Sequence, residues 1–136
     1  MKRLNIEISS VRNNIKDVEA MMLAANKEFG LNDDDYGKAM IAVTELVMNA
    51  IVHGNKEDTS KSVIVTVEIE GSEMKVVIED EGEGFIINDI PDPTEIENLL
   101  DAHGRGVYIA KALVDNLECK QSGRGCEFTL LIKKKS

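Results

Sequence analysis

The chain has 136 residues, of which 43% are hydrophobic and 30% charged, and this length suits one compact domain with little room for a second. Its formal net charge of -9 repels nucleic acids and anionic membranes, so we expect neither as a direct partner. The sequence contains no run of about 18 apolar residues and no apolar signal core at its N-terminus, so we expect a soluble, untargeted protein.

The N-terminal part of the chain predicts one strand and two helices. The segment RLNIEIS alternates apolar and polar residues, as a half-buried strand does. Ser9 or Ser10 then offers a cap for a helix that should end at Gly30. The sequence NDDD supplies a cap and N-terminal acids for a second helix, which runs to the HG at 53–54. Its apolar residues recur at helical spacing: Ala39, Val43, Leu46, Val47 and Ala50.

The C-terminal part of the chain predicts two hairpins and a third helix. SVIVTVEIEGSEMKVVIED contains two alternating runs around GS, which is typical of a hairpin. Residues 81–105 are rich in Gly, Pro, Asp and Asn and are too long for an idle connection. GVYIAKALVDN predicts the helix, and LECKQSGRGCEFTLLIKK predicts the last hairpin. Strands beside helices that can all cover one face favour an α+β two-layer sandwich.

The two cysteines flank the turn-like sequence SGRG. Closing the last hairpin there places Gln121 opposite Cys126 and Phe128 opposite Cys119, so the thiols are out of register for a bridge. The sequence has no CxxC motif and no ligand cluster around them. We therefore expect reduced thiols in a cytoplasmic protein.

Glu45, Asn49 and His53 follow one another at four-residue steps within the second predicted helix. Each such step rotates by only about 40° and keeps the side chains on one stripe, apart from the apolar one. These three residues alone favour a solvent-facing stripe of an amphipathic helix. Two glycine-containing motifs further along the chain change that interpretation.

The first of these motifs is a D-x-G-x-G pattern at the end of the predicted hairpin, formed by Asp80, Gly82 and Gly84. Glycines let the backbone turn sharply and approach a flat ligand closely. A carboxylate at a strand end can accept a hydrogen bond from such a ligand. A turn of this kind is common and usually structural when it occurs alone.

The second motif, HGRGV, places Gly104 and Gly106 on either side of Arg105, where the third helix is expected to begin. Free backbone N–H groups, the positive end of the helix and a guanidinium can converge on phosphate at such a place. Glycines before helices are frequent, so this motif is also weak when taken singly.

In this order the three elements resemble the GHKL ATPases of the Bergerat fold. The N-box is ELVMNAIVHGN, the first glycine box is DEGEGF and the second is GRGVYI. DPTEIENLLDAHGRGVYIAKALVD is similar to the lid and following helix of stand-alone serine/threonine kinases that act as anti-sigma factors. The resemblance implies a single histidine-kinase-like ATP-binding domain over residues 1–136, a two-layer sandwich whose mixed sheet is covered on one face by three helices.

The resemblance also implies ATP and Mg²⁺ as cofactors and a role for individual residues. Asn49 would ligate the metal, Glu45 would activate the attacking hydroxyl, and Asp80 would accept a hydrogen bond from the adenine amino group. An amide oxygen is a suitable Mg²⁺ ligand and a carboxylate can accept a proton, so these roles are chemically sensible. The other implied positions contact the base or the phosphates: Gly82, Gly84 and Thr129 at the base, and Gly104, Arg105 and Gly106 at the phosphates. His53 matches an N-box position, but we assign it no chemistry.

The implied function is a serine/threonine protein kinase that phosphorylates an anti-anti-sigma (STAS-like) protein, can sequester a sigma factor and forms a homodimer. Sigma-binding relatives tend to carry an arginine midway along the first helix, where this chain has Glu19 and Ala20. That departure leaves open a kinase whose partner is not a sigma factor. The alternative is a non-catalytic ATP-binding module that switches a partner by nucleotide state, and the intact Glu45 and Asn49 favour the enzyme.

Other nucleotide machinery is absent from the sequence, which has no GxxxxGK[ST] loop and no HRD or DFG element. A full histidine kinase would need a helical dimerisation domain, for which 136 residues leave no room. We expect the loop Ile86–His103 to be an ATP lid, because it is long and rich in Pro, Asp and Asn.

Overall fold

The computed structural model describes residues 2–82, 102–121 and 123–135. Its sheet has five strands: β1 (Lys2–Ser9), β2 (Ser62–Glu70), β3 (Glu73–Glu79), β4 (Asn116–Gln121) and β5 (Cys126–Lys133). They lie in the order β1-β2-β3-β5-β4, and each neighbouring pair is antiparallel. The register of the last hairpin is the predicted one, with Cys119 opposite Phe128 and Gln121 opposite Cys126.

Among the described residues, three α-helices contribute to the core beside this sheet: α1 (Ile15–Phe29), α2 (Asp33–Asn49) and α3 (Ala102–Leu113). A single 3₁₀ turn at Arg12–Asn14 precedes α1, and α2 continues into a π-helical turn at Ala50–Gly54. None of the described helices is long and apolar enough to cross a membrane.

The α+β fold class is confirmed, but the expected mixed sheet is wrong for the described strands. Short turns join β2 to β3 and β4 to β5, and such turns permit only antiparallel pairing. Two successive helices separate β1 from β2, so the second helix brings the chain back to the end of the sheet at which β1 finishes. A parallel pair would instead need a crossover that returns the chain to the opposite end.

Alternate residues of the central strands face the helices. Ile78 and Phe128 are opposite each other on β3 and β5, and both are buried in the core with Leu46 of α2. Because successive strand residues point to opposite faces, the next pair along these strands, Val77 and Thr129, lies on the other face of the sheet and is only half-buried.

The connection between α1 and α2 follows the predicted capping signals, whereas the start of α1 does not. Gly30 ends α1 with a φ of 84°, a left-handed conformation that favours glycine. Asn32 caps α2 by accepting a hydrogen bond from Asp35 N. The expected serine cap of α1 is wrong, because Ser10 Oγ donates to Lys61 O and so ties the end of β1 to the start of β2.

Candidate active site

A cavity of about 270 Å³ opens beside the C-terminal half of α2. Its lining comes from α2, the π-helical turn, the 3₁₀ turn and α3: Arg12, Glu45, Met48, Asn49, Val52, His53, Gly106 and Ile109. The polar row of α2 therefore faces one cavity, as its spacing predicts. Arg12 also lines the cavity and is held by Glu57, whose Oε1 accepts a hydrogen bond from Arg12 Nε at 2.7 Å.

Asn49 is the last residue of α2 and has a buried side chain, with only 5% exposed. Its Oδ1 accepts no hydrogen bond from any residue that the structure describes. An amide oxygen buried in this way costs about 1–3 kcal/mol, which a bound ligand can offset. Mg²⁺ prefers hard oxygen ligands and keeps several waters and phosphate oxygens beside them, so this oxygen fits the metal that accompanies a nucleoside triphosphate.

Glu45 lies one turn before Asn49 and approaches the start of α3. A Cβ built on Gly106 would be 3.0 Å from Glu45 Oε2. Gly106 of α3 therefore lies directly beside this carboxylate. The half-buried carboxylate of Glu45 and the buried amide oxygen of Asn49 thus face the same cavity.

Asp80 follows β3 and is 2% exposed. Its Oδ1 accepts hydrogen bonds from Gly82 N at 2.8 Å and from Cys126 N at 3.4 Å. Burial raises the pKa of the Asp80 carboxyl above its usual value, although these two hydrogen bonds and the charge of Arg124 act in the opposite direction. The side chain is thus a buried acceptor that main-chain donors hold in place.

Three glycines surround Asp80 at distances that exclude a side chain. A Cβ on Gly54 would be 2.7 Å from Asp80 Cγ, and one on Gly82 would be 2.6 Å from the carbonyl carbon of Gly54. A Cβ on Gly125 would be 2.7 Å from Glu81 Cα. Real Cβ atoms essentially never come within 3.0 Å of such atoms. The π-helical turn, the Asp80 segment and the β4–β5 turn therefore pack main chain against main chain.

Asn55 holds the turn formed by Asp80, Glu81 and Gly82, which we call the Asp80 turn. Its buried Oδ1 accepts from Glu81 N at 2.8 Å, and its Nδ2 donates to Ser10 Oγ at 2.9 Å and to Ser62 O at 3.0 Å. Sequence reasoning missed this residue. The available signal was its position directly after the HG that ends the polar row, at the place where the chain leaves the helix.

Glu81 and Arg124 add a second set of contacts around the Asp80 turn. Glu81 Oε2 accepts from Ser62 N at 2.7 Å and from Arg124 Nη2 at 3.3 Å. Arg124 Nη2 also donates to Ser62 O at 3.0 Å and to Ser62 Oγ. The Asp80 turn is therefore anchored to the start of β2 and to the β4–β5 turn.

The structure does not bring Thr129 to this site. Thr129 lies on the face of the sheet opposite the helices, whereas Asp80 contacts the main chain of Cys126, near the start of β5. The implied base contact of Thr129 is therefore wrong, and the physical reason is the two-residue period of the strand. Cys126, which follows the close-packed Gly125, takes the place beside Asp80.

Other predicted positions are placed only in part. Gly84 and residues 86–101 of the expected lid lie outside the described residues. Gly104 and Arg105 belong to α3, which already includes Ala102, so the glycine motif lies within the first turns of the helix and not before it. Their phosphate contacts stay a prediction.

The sequence matches a known family over residues 8–132, the histidine kinase-like ATPase domain. The serine-protein kinase RsbW of Staphylococcus aureus strain MSSA476 is 33% identical over 113 residues, which cover 77% of this chain and 71% of that protein. RsbW of the Newman strain has the same identity and coverage. The family match extends through the polar row of α2 and the other residues that line the cavity.

Solved structures show the same fold. A Mycobacterium tuberculosis protein crystallised with its RsbU and RsbW domains aligns with a TM-score of 0.71 at 21% identity, over 98% of this chain and 32% of that longer chain. The catalytic domain of the histidine kinase ThkA aligns with a TM-score of 0.53 at 11% identity, over 98% of both chains. The family match and the curated relatives confirm the resemblance drawn from the motifs: the chain belongs to the histidine kinase-like (GHKL) ATPase family, in its branch of RsbW-type serine-protein kinases.

Proposed function

We propose that this protein uses Mg-ATP to phosphorylate a serine or threonine of an anti-anti-sigma (STAS-like) protein. The observation that carries the proposal is the cavity beside α2, in which the Glu45 carboxylate and the buried Asn49 Oδ1 face the same space. A phosphoryl-transfer site needs a metal ligand and a proton acceptor close together. The RsbW relatives supply the reaction class, since their name is serine-protein kinase.

The described residues divide between the two ends of the nucleotide. Asp80 accepts a hydrogen bond from the adenine amino group, and the glycines around it let the base approach the main chain. Asn49 holds Mg²⁺, which when bound neutralises charge on the triphosphate. Glu45 accepts the proton of the substrate hydroxyl as the hydroxyl oxygen bonds to the γ-phosphorus, while the bond from that phosphorus to the bridging oxygen breaks and ADP leaves. Gly104, Arg105 and Gly106 bind the phosphates from the first turns of α3, at the end of the helix whose dipole favours negative charge.

The partners follow from the family, with the sigma factor as the second part of the proposal. The protein acts as a cytoplasmic homodimer that binds its STAS-like substrate and a sigma factor. Glu19 and Ala20 are exposed on α1, where sigma-binding relatives tend to carry arginine, so the STAS-like substrate is the partner to test first.

The test is a transfer assay with the STAS-like protein encoded nearest to this gene. We expect label from the γ-phosphate of ATP to appear on a serine or threonine of that protein when Mg²⁺ is present, and to disappear with a chelator. Thr129→Ala is the matched control, because Thr129 lies on the opposite face of the sheet and its loss should leave the rate unchanged. A protein that binds Mg-ATP and the partner but transfers no label would overturn the kinase proposal in favour of a non-catalytic switch module.

A further inference from the structure

Two thiols lie in contact at the edge of the sheet next to Asp80. Cys119 Sγ and Cys126 Sγ are 3.4 Å apart and are not joined by a disulfide. The residues are not directly opposed, since Cys119 pairs with Phe128, so the contact is a diagonal one across a single face of the β4–β5 hairpin. The predicted register and the absence of a disulfide between the two cysteines are confirmed, but this register does not keep the thiols apart, because the diagonal brings the two sulfurs together.

The two thiols differ in access. Cys126 is 2% exposed and packs in the core, whereas Cys119 is half-buried at the edge strand β4. A small oxidant can therefore reach Cys119 first, and Cys126 is the neighbour that can react with the product. An accessible thiol beside a second thiol is the arrangement in which oxidation ends at a disulfide and does not continue to higher acids.

We propose that Cys119 and Cys126 form a modification site, a dithiol that a hydroperoxide converts to an intramolecular disulfide. The Cys119 thiolate attacks the peroxide, the O–O bond breaks, and water or an alcohol leaves, which gives a sulfenic acid. Cys126 then attacks that sulfur, the S–O bond breaks, and water leaves with the proton of the second thiol. Two thiols and one hydroperoxide thus give one disulfide, one alcohol (or water) and one water.

The disulfide would form directly beside Asp80. A disulfide is about 2.0 Å long, so the two sulfurs must approach by roughly 1.4 Å from their 3.4 Å separation. Cys126 makes two hydrogen bonds with Asp80: Cys126 N donates to Asp80 Oδ1 at 3.4 Å, and Cys126 O accepts from Asp80 N at 2.9 Å. The neighbouring Gly125 already packs against Glu81 with no room for a Cβ. A shift of Cys126 is therefore transmitted to the Asp80 carboxylate.

The functional consequence rests on the proposed nucleotide site. If Asp80 hydrogen-bonds to adenine, the disulfide lowers the affinity for Mg-ATP. By thermodynamic reciprocity, bound Mg-ATP then shifts the equilibrium between disulfide and dithiol toward the dithiol by the same factor. The site is therefore a peroxide-sensitive dithiol coupled to the base pocket.

The experiment treats the full chain with a slight excess of hydrogen peroxide and measures its intact mass. We expect a loss of two hydrogen masses, no disulfide between chains on a non-reducing gel, and recovery of the original mass with dithiothreitol. Oxygen adducts on Cys119 with an intact Cys126 thiol, or a disulfide that joins two chains, would overturn the proposed site.

Coupling to Asp80 is read in two ways. Oxidation should speed hydrogen exchange of the Asp80 amide, which donates to Cys126 O, and should weaken Mg-ATP binding by roughly fivefold or more. Cys119→Ser is the control, because it cannot form the disulfide. After peroxide treatment it should still bind Mg-ATP as tightly as the untreated protein does. A disulfide that changes neither quantity would overturn the coupling. Failure of the reduced protein to bind Mg-ATP would count against the proposed function, whereas the mass and exchange measurements would still decide the dithiol.

Discussion

The Asp80 carboxylate lies directly against Gly54, so that a Cβ on Gly54 would be 2.7 Å from Asp80 Cγ. Gly54 ends the π-helical turn that follows the polar row of α2, and Asp80 follows β3. This contact joins the two ends of the proposed nucleotide site. It links the helix that carries the polar row of α2 to Asp80, the residue proposed to accept a hydrogen bond from adenine. A side chain at Gly54 would have to move one of them.

Gly54→Ala should therefore weaken Mg-ATP binding roughly tenfold or more, because displacement of a binding group by about 1 Å has effects of that size. Overpacking at the site should also lower the free energy of unfolding by about 1–3 kcal/mol. Gly37→Ala is the control, since a Cβ there meets nothing within 4 Å. Replacing this glycine within α2 should raise the stability of the protein by about 0.5–1 kcal/mol. Calorimetric titration with Mg-ATP checks the affinity, and a Gly54→Ala protein that binds as tightly as wild type would refute the steric argument.

Asp80→Asn should weaken Mg-ATP binding while changing the pH dependence of stability. If the amide oxygen keeps the hydrogen bonds from Gly82 and Cys126, the amide N–H₂ group faces the adenine amino group, which is also a donor. The loss of the charged acceptor should lower the affinity for Mg-ATP roughly 10- to 100-fold. Burial raises the pKa of Asp80 in the folded state, so the stability that its protonation provides is present below the unfolded pKa and is lost as the pH rises through the folded pKa.

The free energy of unfolding of Asp80→Asn minus that of wild type should therefore increase as the pH rises from the unfolded-state pKa of Asp80 to its folded-state pKa. Denaturant titrations of both proteins between pH 4 and about pH 8 measure this difference. A difference that stays constant or decreases with pH would show that the folded-state pKa is not raised.

Asn55→Ala should destabilise the protein by about 2–4 kcal/mol, because it removes three hydrogen bonds and leaves the Glu81 N–H without its acceptor. Mg-ATP affinity should fall as well, since the Asp80 turn loses its anchor. Asn13→Ala, at an exposed position of the 3₁₀ turn, is the matched control and should change neither quantity. Thermal unfolding in the presence and absence of Mg-ATP measures both effects, and an Asn55→Ala protein with unchanged stability would remove this residue from the account.

Thr129→Val should leave Mg-ATP affinity within about twofold of wild type, whereas a bulky residue at Gly125 should abolish it. Thr129 lies opposite Val77 on the face away from the helices, while a Cβ on Gly125 would already clash with Glu81. Fluorescent-nucleotide displacement distinguishes the two variants. Loss of binding in Thr129→Val would restore the contact implied by the family resemblance.

The order of elements and the polar row of α2 were predictable from the sequence, because both depend on periodicity and local signals. Gly30 and Asn32 mark helix ends through their own backbone and side-chain chemistry. The spacing of Glu45 and Asn49 places them on one stripe whatever the tertiary fold. These features are local, so no knowledge of the packing was needed to find them.

The remaining parts of the site depend on long-range contacts that the sequence alone does not reveal. Asn55 is 26 positions from Glu81, and nothing in the local pattern shows that they meet. The resemblance to the family assigns Thr129 to the base, but the register of β3 with β5 places it on the face of the sheet away from the helices. The Cys119–Cys126 contact does not follow from the predicted register, because that register gives only the directly opposed residues, whereas these two thiols meet on a diagonal of the hairpin.

The most direct test of the central claim is a comparison of binding and transfer in Glu45→Gln. The amide keeps the shape of the side chain but cannot take the proton of the acceptor hydroxyl, so we expect Mg-ATP affinity close to wild type and a rate of transfer to the STAS-like partner lower by roughly 10²- to 10⁴-fold. Asn49→Ala should instead lose affinity in Mg²⁺ together with turnover, because it removes the metal ligand. Transfer by Glu45→Gln at the wild-type rate, measured in single turnover with bound Mg-ATP, would contradict the assignment of Glu45 as the general base.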